Sequence, residues 1–232
     1  MSKEQWTAVD RYLTDILVAP DAALDAALEA SSAADLPAIS VTPNLGKFLF
    51  ILARTVGAKN ILEFGTLGGY STIWLARALS PGGRLVTLEA DSKHAAVARA
   101  NIARAGLSDV VDLRVGLALD LLPGVAADMQ APFDLVFIDA DKPSNPEYFA
   151  RSLELCRVGS LIIVDNVIRD GAVVDAKSRD DSVQGVRRMN EMVAAERRVT
   201  ATALQTVGSK GYDGFAMVLV TSDPKQPAQR ST

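Results

Sequence analysis

Four acidic residues each close a short apolar run in this chain. The runs are Ile61-Leu62-Glu63, Leu85-Val86-Thr87-Leu88-Glu89, Leu135-Val136-Phe137-Ile138-Asp139 and Leu161-Ile162-Ile163-Val164-Asp165. In an open α/β sheet the carboxyl ends of parallel strands open on one crevice, where ligands bind. Four carboxylates gathered there repel one another unless cations come between them. Such a site is expected to hold positive ligands, a metal ion, or both.

Asp139 with the Asp165-Asn166 pair offers three hard oxygen ligands from strand ends. Completed to six positions by water and a bidentate acceptor, that set suits Mg²⁺ and admits Ca²⁺ or Mn²⁺. No His/Cys cluster of the kind zinc prefers is present. Lys142 follows Asp139 by three residues. A neighbouring divalent charge lowers a lysine's pKa and makes it a usable general base. On their own, a strand-end aspartate reads as a cap and a lysine as a solvated charge. Asp141 reads equally well as a turn residue or as a supporting partner.

After the first run comes Glu63-Phe64-Gly65-Thr66-Leu67-Gly68-Gly69-Tyr70-Ser71, leading into a helical pattern. Gly65 permits a tight turn, and Gly68 and Gly69 let backbone approach a ligand closely. A dinucleotide fingerprint needs a second glycine where Leu67 stands. The preceding Glu63 would oppose pyrophosphate and favour a cationic amino group. Glu89, ending the next run, is suited to accept hydrogen bonds from both hydroxyls of a ribose. Adenosine with a cationic tail and no phosphate describes S-adenosylmethionine. Two other readings remain: a metal-independent methyltransferase with a different acceptor, and a nicotinamide-linked oxidoreductase.

These side chains need a scaffold. From Asn60 onward, short β-branched runs alternate with helical segments, which implies βαβ units and a parallel sheet. The pattern predicts strands at 60–64, 84–89, 110–115, 133–139 and 158–165, and helices at about 70–79, 93–105, 117–122 and 146–156. Two further strands, 199–207 and 214–221, join through Gly208-Ser209-Lys210-Gly211 as an antiparallel hairpin at the sheet edge. The expected fold is a Rossmann-like α/β domain: seven strands, mostly parallel, helices on both faces, an antiparallel edge strand. Residues 1–57, with helices at 4–18, 21–33 and 44–57, form a helical part covering the site, and 58–221 form the core. The segment 169–182 reads as a mobile surface loop near the site, and the last eleven residues, from Ser222, as a frayed tail.

At 232 residues the chain is long enough for one two-sided domain. Its formal charge of −4 and lack of a basic run argue against a nucleic-acid partner. No apolar run approaches the length that spans a bilayer, roughly 20 residues. The charged opening MSKEQWTAVD gives no sign of a signal peptide, and a single cysteine, Cys156, fits a reducing cytoplasm. Cys156, Trp6, Trp74, Tyr148 and Phe149 read as packing residues, and His94 as a surface or cofactor-edge residue. Ser71 with His94 makes no hydrolase, since no G-x-S-x-G elbow exists.

Together, E-F-G-T-L-G-G-Y-S, D-A-D-K and V-D-N resemble the cation-dependent O-methyltransferases, the class I S-adenosylmethionine enzymes similar to caffeoyl-CoA and catechol O-methyltransferases. The resemblance covers about residues 38–220. It implies cofactor contacts at Glu63, Gly65, Ser71, Glu89 and Ala118, with Val41 through its backbone. It implies a divalent cation on Asp139, Asp165 and Asn166, with Asp139 also close to the methyl donor, and Lys142 as the base. A phenolic acceptor with vicinal hydroxyls and a homodimer are the expected partners. Asn44, Leu45 and Lys47 depart from the family's usual acidic residues and glutamine, on the acceptor side.

Overall fold

A computed structural model of the chain describes residues 2–128 and 130–223, so most of the tail read as frayed lies outside the described residues. Three helices come first: α1 (Lys3–Leu17), α2 (Ala22–Ala33) and α3 (Pro43–Thr55). Asp21 caps α2 by accepting from the amides of Ala23 and Leu24, and Thr42 caps α3, with Pro43 at its first turn. The alternating core follows as β1 (Asn60–Phe64), α4 (Tyr70–Ala78), β2 (Arg84–Glu89), α5 (Ser92–Arg104), β3 (Val111–Val115), α6 (Ala118–Asp128), β4 (Phe133–Ile138), α7 (Asn145–Leu155) and β5 (Cys156–Asp165). It closes with α8 (Asp181–Ala195), β6 (Val199–Gly208) and β7 (Gly211–Val220).

The seven strands form one sheet in the order β3-β2-β1-β4-β5-β7-β6. The first five are parallel; β7 runs antiparallel to both β5 and β6, so the hairpin makes one edge. The chain reverses direction across the sheet between β1 and β4, the position where such folds open their binding crevice.

Side-chain alternation splits the apolar runs between two faces. Leu62, Phe64, Val136, Ile138, Ile162 and Val164 pack with Leu122, Phe149, Val186 and Met189 from α6, α7 and α8. Ile61, Leu135, Phe137 and Ile163 pack with Leu24, Leu49, Ile73 and Trp74 from α2, α3 and α4. The two layers clamp the sheet, and only its strand ends and the loops beyond them are free to hold a ligand. Among the described residues no helix is long and apolar enough to cross a membrane.

Three expectations need correcting. The stretch read as a loop at 169–182 contains a 3-10 turn, Ala172–Val174, and ends in the first residues of α8, a helix that was not anticipated. Its apolar positions Val183, Val186 and Met189 are buried. Helix α6 continues through Pro123 to Asp128 instead of stopping at 122. Trp6 is only half-buried, because α1 contributes no buried residue.

Candidate active site

The β1–α4 loop is the floor of the site, and its shape has a steric cause. Gly65 has φ +89°, and a Cβ there would lie 2.3 Å from the Asp139 carbonyl oxygen. Only glycine lets the end of β1 sit this close to the end of β4, and the Asp139 amide donates to Phe64 O at 2.9 Å. Gly69, at φ +84°, precedes α4 without a side-chain cap, so the first amides of that helix stay open to a ligand.

Above this floor lies a cavity of about 860 Å³, within the usual range for a bound small molecule. Its wall includes Val41, Gly65, Ser71, Glu89, Ala118, Asp139, Lys142 and Asn166, eight of the residues singled out from sequence. A neighbouring cavity of about 360 Å³ takes in Asp165 and Asn166 together with Leu45, Phe48 and Phe215. Asn166 borders both, so the two cavities meet at the end of β5.

Glu89 is bound before any ligand arrives. One carboxylate oxygen accepts from the amides of Thr66 (3.1 Å) and Leu67 (2.8 Å), the other from Asp91 (2.9 Å). It therefore clamps the glycine loop and keeps only its remaining lone pairs for a further donor. Leu67, in the second-glycine position, takes a left-handed backbone (φ 49°) that this clamp stabilises. His94 lies 3.6 Å from Glu89 at the cavity edge, as read from sequence.

Glu63 is placed differently from expectation. It is wholly buried and is not on the cavity wall. The hydroxyls of Ser71 (2.7 Å), Thr72 (2.5 Å) and Thr87 (2.7 Å) donate to it. Burial pushes its carboxyl up to about 7 despite those three donors. Ser71 is on the wall, and Glu63 orients its hydroxyl.

On the other side of the floor, Lys142 is buried, with Nζ 2.8 Å from Asp139 Oδ1. Asp165 is buried and accepts from the Asn166 amide at 2.8 Å. Burial, with the Asp139 carboxylate nearby, pushes Asp165 up to about 7. Asn166 sits at φ 59°, a left-handed turn that brings its amide beside Asp165. A buried carboxylate with a second carboxylate nearby, joined by an amide oxygen, suits a hard divalent cation. No group of three or more His, Cys, Asp or Glu side chains capable of holding a metal occurs among the described residues.

Several site residues escaped sequence reading. Tyr148, taken for a packing residue, lines the cavity, donates to Asp141 and lies against Phe64 with ring centroids 4.8 Å apart. Burial and Asp141 both raise the pKa of its phenol, so it stays a donor. Asp141 is thus a supporting partner. Arg169 and Lys210 line the large cavity as well. Cys156 and Phe149 are buried, and burial pushes the thiol up to about 12, consistent with packing. Of the departing residues in α3, Asn44 bonds back to Asp10 O and Thr14, and Lys47 stands over the rings of Phe50 and Trp74. Leu45 alone of the three adds an apolar side chain to the smaller cavity's wall.

Fold and site define a class: a Rossmann-like domain with a cavity at its switch point, lined by acids and a lysine. Comparison with known proteins agrees. A family model described as O-methyltransferase matches residues 19–219. A catechol O-methyltransferase of Niastella koreensis is 54% identical over 220 residues, 95% of this chain and 100% of that one. The crystal structure of an O-methyltransferase from Bacillus cereus in complex with SAH superposes with a TM-score of 0.94 at 58% identity, covering 95% of this chain and 100% of that one. The O-methyltransferase of tomaymycin synthesis from Streptomyces achromogenes, solved with SAM, gives 0.93 at 51%, covering 96% and 100%. The chain belongs to the O-methyltransferase family and is an enzyme of that class.

Proposed function

We propose that this enzyme uses S-adenosylmethionine and one divalent cation, Mg²⁺ foremost, to methylate a vicinal dihydroxy aromatic, and that it works in the cytoplasm as a homodimer. The observation that carries the reading is the Lys142–Asp139 pair at 2.8 Å, beside the buried Asp165 and Asn166. Relatives named as catechol O-methyltransferases and neighbours solved with SAH or SAM support it.

When bound by Asp139, Asp165 and Asn166, a divalent cation would supply Lewis-acid polarisation that makes a hydroxyl easier to deprotonate. The chain's own residues do the rest. Glu89 holds the ribose, and Ser71, oriented by Glu63, borders the amino-acid end. Lys142, in its neutral form, accepts the hydroxyl proton at Nζ; Asp139 fixes where that nitrogen stands. The freed oxygen lone pair forms the new bond to the sulfonium methyl, the sulfur–carbon bond breaks, and its electrons return to sulfur. Leu45, Phe48 and Phe215 give the smaller cavity an apolar wall against which an aromatic acceptor can lie. Positioning and electrostatics supply the acceleration, with no covalent enzyme intermediate.

Three measurements test this. Methyl transfer to a catechol should stop in excess EDTA and return with Mg²⁺; undiminished transfer in EDTA would refute the metal assignment. Asp165→Ala should abolish turnover while sparing most of the S-adenosylhomocysteine affinity measured by calorimetry. Lys142→Ala should lower kcat by about 10²–10⁴-fold near neutrality, the usual range for a lost general base, and the deficit should narrow at high pH as the phenol ionises unaided.

A further inference from the structure

Two cations on the wall of the large cavity make no salt bridge among the described residues, although Lys210 feels the charges of Asp139 and Asp165 at longer range. Arg169, in the loop after β5, has an Nε shut away from solvent with no hydrogen-bond acceptor. Lys210, in the β6–β7 turn, gives its ammonium only to backbone carbonyls, those of Ala38 and Ser40. By contrast Lys142 is matched to Asp139 at 2.8 Å. A guanidinium N–H withdrawn from water without an acceptor is unfavourable, and an arriving anion would relieve it.

Arg169's place in the sheet separates it from the ribose end of the cavity. Glu89 closes β2, while Arg169 follows β5, with β1 and β4 between the two strands. Strands lie about 4.8 Å apart, so some 14 Å separate those two strand ends. The cofactor's own carboxylate has a home nearer β1. There the uncapped N-terminus of α4 brings Tyr70 and Ser71 to the wall.

Charge points the same way. With Asp139 and Asp165 neutralising a divalent ion and Lys142 serving as the base, Arg169 and Lys210 remain as the cations on the acceptor side. Asp141 is engaged by Ser144 and Tyr148. Asp10 accepts from the amide and hydroxyl of Ser209, and Asp213 from the amides of Ile168, Arg169 and Gly214. Asp170 is exposed.

We propose that Arg169 and Lys210 form a carboxylate subsite, so that the natural acceptor is a vicinal dihydroxy aromatic bearing an acid group. Its hydroxyls face Asp165 and Asn166, and its carboxylate faces Arg169. The placement of the hydroxyls rests on the function proposed above; the anion subsite stands on Arg169 and Lys210 alone.

The test is a matched pair, 3,4-dihydroxybenzoate and its methyl ester. The wild-type enzyme should favour the acid by about tenfold or more in kcat/KM, the scale of a charge-assisted hydrogen bond. In Arg169→Gln and Lys210→Met that preference should collapse through KM for the acid. Arg169→Lys and Lys210→Arg should restore part of it. A wild-type preference for the ester, or an acid-to-ester ratio unmoved in both variants, overturns the proposal. Calorimetry with S-adenosylhomocysteine separates the two sources of a carboxylate. Retained affinity in both variants assigns the subsite to the acceptor, and lost affinity assigns it to the cofactor and overturns the proposal. If neither compound is methylated, the catechol reading fails, and binding of 3,4-dihydroxybenzoate to the S-adenosylhomocysteine complex in EDTA decides the subsite. Binding weakened in Arg169→Gln sustains it; equal binding overturns it.

Discussion

Glu63 is a carboxylate with no exposed surface and three hydroxyl donors, and its pKa still lies near 7 because burial outweighs those bonds. This has a consequence for stability. Below the ordinary glutamate value of 4.5 the group is neutral both folded and unfolded. Between 4.5 and about 7 the unfolded chain ionises it while the folded chain keeps its proton, so its contribution to stability falls as pH rises through that window. Above 7 the loss is complete. Asp21 and Asp134 shift the other way and gain stability with rising pH, but they cancel in a comparison of two proteins that both contain them. Glu63→Gln should therefore flatten the fall: the Tm difference between variant and wild type should move in favour of the variant by several degrees from pH 4.5 to 7, at about 2–4 °C per kcal/mol for a domain of this size. A constant difference across that range would mean that Glu63 stays ionised in the folded protein. The same residue marks a limit of sequence reading. Its position at a strand end is visible in the pattern, but its retreat behind Ser71 depends on Thr72 and Thr87, which come together only when β1, α4 and β2 pack.

Among elements, the β1–α4 turn carries the tightest steric condition in the site. Gly65→Ala places a methyl 2.3 Å from Asp139 O, a backbone atom, in addition to the left-handed φ of +89°. The strand ends must part, at a cost of about 1–3 kcal/mol from overpacking and as much again from backbone strain. A fall in Tm with loss of S-adenosylhomocysteine binding is expected. Gly57→Ala, with φ +62° and nothing within 4 Å, is the control and should lose much less. Wild-type affinity in Gly65→Ala would show that the close approach is dispensable. Strands and turns of this kind were legible in the sequence, because glycine spacing and acid-terminated apolar runs are local signals. Helix α8 was obscured: Arg187, Arg188 and Gly185 interrupt the stripe of Val183, Val186 and Met189, and only packing on the sheet face gives those three their common direction. Helix α6, expected at about 117–122, runs on because Pro123 removes one backbone hydrogen bond without ending the helix. Arg169 and Lys210 carry no local mark at all. Forty-one positions apart, they share a wall because β7 inserts between β5 and β6.

At the scale of the whole molecule, the N-terminal helix and the hairpin edge leave an apolar surface that one copy does not cover. None of the α1 side chains is buried, and Val9, Tyr12 and Ile16 are 51%, 62% and 57% exposed along one stripe. Strand β6, beside α1, is the sheet edge, and its Leu204 and Val207 are each 49% exposed. A long strand edge next to an apolar helix invites pairing with another chain unless it is covered. A second copy related by two-fold symmetry would cover both features at once, since an isologous contact lets each copy's helix and edge meet the other's. The arrangement also bears on the site, because Asp10 of α1 holds Ser209 in the turn that carries Lys210. Pairing through α1 would steady that turn and, with it, the wall of the acceptor cavity. Light scattering at micromolar concentration should give about twice 24.6 kDa. Tyr12→Glu with Ile16→Glu should bring the mass down to one chain and raise KM for the acceptor more than it lowers kcat. A wild-type mass of one chain would refute the homodimer, and a monomeric variant with unchanged KM would disconnect this surface from the site.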